Sequence, residues 1–244
     1  MKRDPHIVVH RFFNKLIGKK GCIESVPIFS QLTDKEIDEV LKVAISRKFG
    51  KGDIIFSPGE ISEDLFIVYK GKVKISRISA SGKEQILRIL EPGDFTGELS
   101  LFGQSPSKNM AEALEKTVVC LVRGQEIKQL VLKAPNIALK ILEEYTQRFE
   151  RLENVIEQFG LHDVEQRVAG ILLQLAAKHT GETENGVDIT LSISKGDLAS
   201  LIGTTQESLS RKLSAFQEQG WIKLIGQRRI LILDQDSLRR IISS

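Results

Sequence analysis

The chain has 244 residues, 41% hydrophobic and 27% charged, the balance of a water-soluble globular protein with apolar material for one or two cores. No apolar run approaches the ~20 residues that span a bilayer, and the opening Met-Lys-Arg-Asp-Pro-His leads into no signal-like stretch, so a cytoplasmic protein with no membrane partner is expected. Two cysteines, Cys22 and Cys120, are too few for a secreted disulfide scaffold, and the net charge of +3 is matched by residues 190–244 alone, where eight Lys or Arg face five acids.

Residues 1–20 read as a basic, polar arm or short helix. His6 and His10 have the i, i+4 spacing of a metal pair but no third ligand nearby, so they read as solvated histidines and no metal site is expected. Residues 30–47 carry Leu32, Ile37, Val40, Leu41, Val43 and Ala44, with Thr33 and Asp34 ahead of Glu36, the pattern of a capped amphipathic helix.

From about 48 to 122 the period changes. Short β-rich runs (53–56, 65–69, 73–78, 85–90 and 117–122) alternate with turns at Gly50, Gly52, Gly59, Gly71, Gly82 and Gly93. Val73, Ile75 and Arg77 point one way, and Lys74, Ser76 and Ile78 the other. Alternation with regular turns predicts an antiparallel sandwich or jelly roll.

Residues 136–159 predict one long helix, with Pro135 at its start and Gly160 just past its end. Ala138, Leu142, Tyr145, Phe149, Leu152, Ile156 and Phe159 follow a heptad seam. A helix packed on its own domain gives the same stripe. The bulky seam, flanked by Glu143, Glu144, Arg148, Glu150, Arg151 and Glu153, favours a partner helix, and a parallel homodimer through Leu142, Tyr145, Phe149, Leu152 and Ile156 is expected. A short connection leads to a second apolar helix, Val164–Lys178, and His179–Val187 reads as a loop.

The most informative stretch is 191–221. Ser194 and Asp197 form a capping-box pattern before a helix through Leu201, Gly203 permits a tight turn, and Thr204 or Thr205 caps the next helix. Leu209, Leu213 and Phe216 mark its buried face. Gln206, Glu207, Ser210 and Arg211 then face outward near its N-terminus, the end from which a recognition helix reads bases. Arg suits the acceptors of guanine and Glu the amino group of cytosine. Trp221–Ile225 and Ile230–Leu233 flank Gly226-Gln-Arg-Arg229, a hairpin with a basic tip suited to a phosphate backbone. Any small domain with two helices joined at a glycine shows part of this pattern; the wing and the basic balance raise it to a DNA-binding winged helix, with Thr205, Gln206, Glu207, Ser208, Ser210 and Arg211 as the DNA-binding residues.

The order of parts, β-roll, Gly97-Glu-Leu-Ser-Leu-Phe102 element, long helix and winged helix, resembles the cyclic-AMP receptor protein and FNR family of bacterial regulators over residues 20–240. In that family a Glu and an Arg four residues later read the core of a TGA-type half-site; they fall on Glu207 and Arg211. The FNR branch has Glu, two residues, then Ser-Arg, matching Glu207, Ser210 and Arg211. The receptor-protein branch has Arg before the Glu, where this chain has Gln206. The resemblance thus implies an FNR-like homodimer on double-stranded DNA, with RNA polymerase as a further partner.

Nucleotide-binding members carry Arg-Ser or Arg-Thr then Ala after the Gly-Glu-Leu element. The corresponding stretch here is Pro106-Ser-Lys-Asn-Met-Ala111, with no arginine between Arg88 and Arg123. Lys108 offers a point charge rather than a planar bidentate clamp, Glu98 reads equally as structural, and no cofactor is expected. FNR itself holds an iron–sulfur cluster with four cysteines. Cys120 falls on the distant ligand and Cys22 lies alone in the N-terminal ligand region, so four ligands are lacking. The pair resembles that of FNR-like proteins of lactic-acid and related Gram-positive bacteria, for which a reversible intramolecular disulfide is the proposed sensor. The resemblance implies a Cys22–Cys120 redox switch; the alternative is two unrelated thiols, Cys120 being a small buried hydrophobe.

The expected protein is α+β: sensor arm and β-roll over 1–134, dimerisation helix over 135–160 and winged-helix DNA-binding domain over 161–244. It is a transcription regulator and not an enzyme, since no catalytic constellation stands out. The alternative is a regulator whose β-roll binds a nucleotide or other small effector.

Overall fold

Thr33 and Glu36 start the first helix by capping each other: the Glu36 N–H donates to Thr33 Oγ1 at 3.4 Å and the Thr33 N–H to Glu36 Oε2 at 2.7 Å. Helix α1 (Asp34–Val43) turns Ile37, Val40 and Leu41 inward. The computed structural model describes residues 26, 29, 32–60, 63–97, 106–177, 182–183 and 186–243. His6, His10, Cys22, Glu98 to Phe102 and His179 lie outside the described residues.

The expected helix to residue 47 ends earlier. Ile45–Phe49 is strand β1, paired antiparallel with β8 (Thr117–Val122) in the register Ser46↔Cys120. Its ladder of backbone bonds outweighs local helix preference.

Strands β2 (Ile54–Phe56), β3 (Leu65–Lys70), β4 (Val73–Ile78), β5 (Glu84–Leu90), β6 (Phe95–Thr96) and β7 (Met110–Ala113) complete two four-stranded sheets, ordered β1-β8-β3-β6 and β2-β7-β4-β5. Alternate residues of both sheets meet in one core: Phe66, Val68, Val119 and Leu121 against Phe56, Val73, Ile75, Leu90 and Ala111. The opposite residues of the first sheet, Leu65, Ile67, Phe95, Cys120 and Val122, pack against helices in a second core with Ile37, Val40, Leu41, Ile127 and Leu130. Being covered on both faces explains why β3 and β8 read as continuous apolar runs. Lys74 lies on the face away from Val73 and Ile75, yet is only 6% exposed, and its ammonium meets the carboxylate of its cross-strand partner Glu112 at 3.0 Å.

Helix α2 (Gly124–Lys133), which the sequence did not announce, starts at Arg123 with no side-chain cap. Helix α3 (Asn136–Leu161) continues through Gly160. That glycine is helical, a correction to its reading as a terminator. The helix has two apolar faces. Ile137 and Ile141 are buried in the second β-roll core, with Tyr145 partly buried beside them. Tyr145 thus packs partly on its own domain at the i+4 continuation of Ile137 and Ile141. Leu142, Phe149, Leu152 and Ile156 remain 59–70% exposed. Arg148 anchors the helix to β6, lying 4.1 Å from the Phe95 ring centroid and donating to the Phe95 carbonyl at 3.0 Å.

The chain divides into two compact units, one of Met1–Arg77 and Leu87–Arg148, the other of Ile78–Ile86 and Phe149–Ser244. The second holds α4 (Val164–Ala177), α5 (Lys195–Leu201), α6 (Gln206–Glu218) and α7 (Gln235–Ile242). Its sheet is ordered β11-β12-β10-β9, from β9 (Glu182–Thr183), β10 (Gly186–Thr190), β11 (Ile222–Ile225) and β12 (Arg229–Ile232). The tract expected to be a loop thus supplies β9 and the first two residues of β10, because Val187 and the following Ile189 bury against the hairpin that β10 extends. No described helix is long and apolar enough to cross a membrane.

Candidate nucleic-acid interface

Helices α5 and α6 form a helix-turn-helix whose local chemistry sets each boundary. The Asp197 N–H donates to Ser194 Oγ at 3.0 Å, and the Ser194 N–H returns to Asp197 Oδ2 at 3.3 Å. Gly203 has φ +69°, a left-handed conformation that L side chains rarely adopt, and the Thr204 N–H closes the turn on the Ala199 carbonyl at 2.9 Å. Thr205, not Thr204, caps α6: its Oγ1 accepts from the Ser208 N–H at 3.2 Å. Leu209, Leu213 and Phe216 are fully buried beneath the helix.

Burial of that stripe leaves Thr205, Gln206, Glu207 and Arg211 exposed, and Ser208 and Ser210 half-buried. The six expected residues are therefore brought to one end of one helix. They are not equivalent. Thr205 is occupied in capping, while Ser208 Oγ lies 3.1 Å from Thr205 Oγ1 and accepts from Arg211 Nη2 at 3.3 Å. Glu207 and Arg211 sit one turn apart and face solvent, carrying an acceptor and a forked donor of opposite charge, the pair of groups that base edges in a major groove discriminate. Gln206 leans back on α5, where a Cβ added to Gly196 would lie 3.1 Å from its Oε1.

Two supports of this helix were not read from the sequence. Lys212 pairs with Glu165 of α4, and Gln217 Oε1 accepts from the Leu224 N–H at 2.8 Å, tying α6 to β11. In the wing, Arg229 pairs with Asp188, whose hydrogen bond and charge hold the guanidinium pKa above its ordinary value. Arg228 is exposed at the hairpin tip and has no ion pair among the described residues. The basic tip thus offers Arg228 to an external anion, while the charge of Arg229 is balanced within the sheet.

In the first unit, Lys108 is exposed and Arg88 donates to Thr96 Oγ1 at 3.1 Å. Among the described residues no group of three His, Cys, Asp or Glu has metal-binding geometry. Cys120 is 1% exposed and packs in one core with Val26 and Phe29.

Known proteins with these features are informative. Residues 46–134 match the family described as Cyclic nucleotide-binding domain, and residues 166–241 the Crp-like helix-turn-helix domain. The chain is 30% identical over 213 residues to the CRP-like cAMP-activated global transcriptional regulator of Mycobacterium tuberculosis, covering 87% of this chain and 95% of that one. It is 29% identical to the probable transcriptional regulator flp of Lacticaseibacillus casei, covering 89% of this chain and 96% of that one. Among solved structures, FixK2 from Bradyrhizobium japonicum superposes with a TM-score of 0.71 at 25% identity, covering 83% of this chain and 98% of that one. A CooA mutant from Carboxydothermus hydrogenoformans shares the fold, with a TM-score of 0.75 at 20% identity, covering 91% of this chain and 95% of that one.

Proposed function

This chain belongs to the CRP/FNR family of transcription regulators, and from that premise we propose that it is an FNR-type, homodimeric reader of a palindromic site with TGA-core half-sites. One observation carries the reading: Glu207 and Arg211 stand one turn apart on the exposed N-terminal face of α6 while Leu209, Leu213 and Phe216 fix the opposite face. With α6 in the major groove, Arg211 donates to O6 and N7 of a guanine and Glu207 accepts from a cytosine amino group. Arg228 contacts phosphate and supplies affinity without sequence. The proposed division of labour is a sensor over 1–134, a dimer helix over 135–160 and a DNA-binding domain over 161–244, in a cytoplasmic protein that passes its signal to RNA polymerase. Two copies, joined through α3, place two recognition helices in successive major grooves.

Arg211→Ala tests the reading. Loss of one bidentate base contact costs about 1–3 kcal/mol of discrimination, roughly 5- to 150-fold, on a TGA palindrome and little on scrambled DNA. Equal losses on both sequences would sink the base-reading role.

The proposed signal is the redox state of Cys22 and Cys120. A disulfide oxidant such as oxidised glutathione takes two electrons and two protons from the two thiols, one S–S bond forms, and the oxidant leaves as two thiols. One observation supports it: Val26, four residues beyond Cys22 in the sequence, packs in the core that holds Cys120. DNA binding measured with oxidised and reduced glutathione, in the natural chain and in Cys22→Ser, checks it. An unchanged response in the variant removes the model. A second reading, an effector in the β-roll, is favoured by the match of residues 46–134 to a cyclic nucleotide-binding domain. Calorimetry with cyclic AMP and cyclic GMP separates it from the first.

A further inference from the structure

The heptad spacing makes Phe159 the last rung of the α3 seam, but its ring is engaged elsewhere. A Cβ built on Gly203 would lie 2.1 Å from Phe159 Cε1 and 2.7 Å from Cζ, so the ring edge rests directly on the bare backbone of the turn between α5 and α6. Arg167 of α4 covers the same ring, its guanidinium carbon 5.1 Å from the centroid. That arginine also donates through Nε to the Ile202 carbonyl at 3.0 Å and through Nη1 to the His162 carbonyl at 2.7 Å. Ile202 is the C-cap of α5, and its carbonyl has no partner within its own helix. A single guanidinium therefore satisfies the end of the first helix of the motif, holds the connection between α3 and α4, and closes over the ring.

We propose that Phe159 is a positioning residue for DNA recognition: held between Gly203 and Arg167, its ring fixes the helix-turn-helix to the end of the dimer helix. The proposal rests on the DNA-reading role of α6. The contact is with the turn from which α6 departs, so a shift of the turn moves Glu207 and Arg211 together. Base contacts tolerate little displacement, and a palindrome requires both copies to be placed at once, so a loosened turn is felt twice per site. The seam residues act differently. Leu142, Phe149, Leu152 and Ile156 keep 59–70% of their surface exposed for a partner, whereas Phe159 is 43% exposed with one edge on Gly203.

The test uses the full chain with Phe159→Ala, Phe159→Leu and Arg167→Gln. Each is measured for affinity to a TGA palindrome by fluorescence anisotropy, for dimerisation by sedimentation equilibrium, and for amide exchange at Gly203 and Thr204. Phe159→Ala is expected to weaken specific binding about tenfold or more, with the dimer constant within about threefold and faster exchange in the turn. Phe159→Leu recovers part of the loss, and Arg167→Gln, which leaves the ring in place, loses less than Phe159→Ala. Affinity within about threefold of the natural chain in both Phe159→Ala and Arg167→Gln overturns the proposal, as does a loss that follows dimer dissociation alone. Should Phe159→Ala fail to fold, Phe159→Leu and Arg167→Gln decide on the same readouts. Arg211→Ala is run alongside: if it too leaves specific binding intact, the DNA-reading role of α6 has failed; if it alone abolishes binding, only the role of Phe159 has.

Discussion

Ser208 Oγ accepts a hydrogen bond from Arg211 Nη2 at 3.3 Å, so the guanidinium proposed to read bases is held along its own helix. An arginine ordered in advance loses less rotamer freedom on binding, a saving of about 0.5–1.5 kcal/mol per side chain. Ser208→Ala removes that acceptor but keeps the backbone N–H that Thr205 caps. Specific affinity is expected to fall roughly two- to tenfold by anisotropy, less than for Arg211→Ala. A loss equal to that of Arg211→Ala would mean that Ser208 itself touches DNA.

The two faces of α3 separate the proposed dimer seam from the β-roll core. Ile156 is 70% exposed and Leu152 59%, whereas Ile137 and Ile141 are 2% and 7% exposed in the β-roll core. Burying a large aliphatic side chain contributes about 1.5–3 kcal/mol, and a dimer places two copies of each residue in the seam. Ile156→Glu is therefore expected to weaken the dimer at least about 100-fold by sedimentation equilibrium, with the β-roll still folded. Tyr145→Ala, by contrast, lowers the unfolding midpoint of the β-roll more than it shifts the dimer constant. The reverse pattern would make the seam the main role of Tyr145.

The exposed face of α6 was readable because Leu209, Leu213 and Phe216 recur at helical spacing between a capping threonine and a glycine-ended turn, and that local chemistry left Glu207 and Arg211 only one side to occupy. The β-roll was readable in its apolar strands and not in β7, where Met110-Ala-Glu-Ala113 has no β-branched residue and owes its conformation to pairing with β2 and β4. Helix α2 begins without a side-chain cap, so it gave no start signal. In α3 the heptad stripe masked a second stripe, Ile137, Ile141 and Tyr145, since two apolar faces on one helix blur each other's period. The contact of Phe159 with Gly203 joins residues far apart in the chain, and spacing holds no information about it.

Gly97, the first residue of the Gly-Glu-Leu element, is required by both conformation and space. Its φ is +101°, and an added Cβ would fall 2.1 Å from the Asp64 carbonyl oxygen and 3.2 Å from Phe66 Cδ2. The oxygen belongs to backbone leading into β3, and moving it disturbs the Phe66↔Thr96 pairing beside it. Gly97→Ala combines left-handed strain with a backbone clash and is expected to cost about 2–4 kcal/mol. Calorimetry should show the β-roll transition lowered by roughly 5–15 °C, with α6 still able to bind DNA if the second unit is unaffected. An unchanged transition would show that the strand moves freely.

The cap of α7 gives the second unit one acid-sensitive contact. The Ser237 hydroxyl donates to Asp234 Oδ2 at 2.6 Å and the Ser237 N–H to Oδ1 at 2.9 Å. These bonds, side chain first and backbone second, hold the Asp234 pKa below its ordinary 3.8, aided by the charge of Arg240. A carboxylate whose folded pKa is depressed contributes stability that is complete above the unfolded pKa and is lost as pH falls through the folded one. The contribution of Asp234 is therefore constant from neutrality to about pH 5 and disappears below that range. Asn keeps a capping oxygen but no charge, so Asp234→Asn should differ most from the natural chain at neutral pH and converge with it in acid. Urea midpoints measured at intervals from pH 7 downward check this; a gap of constant size over the whole range would show that Asp234 acts through its shape and not its charge.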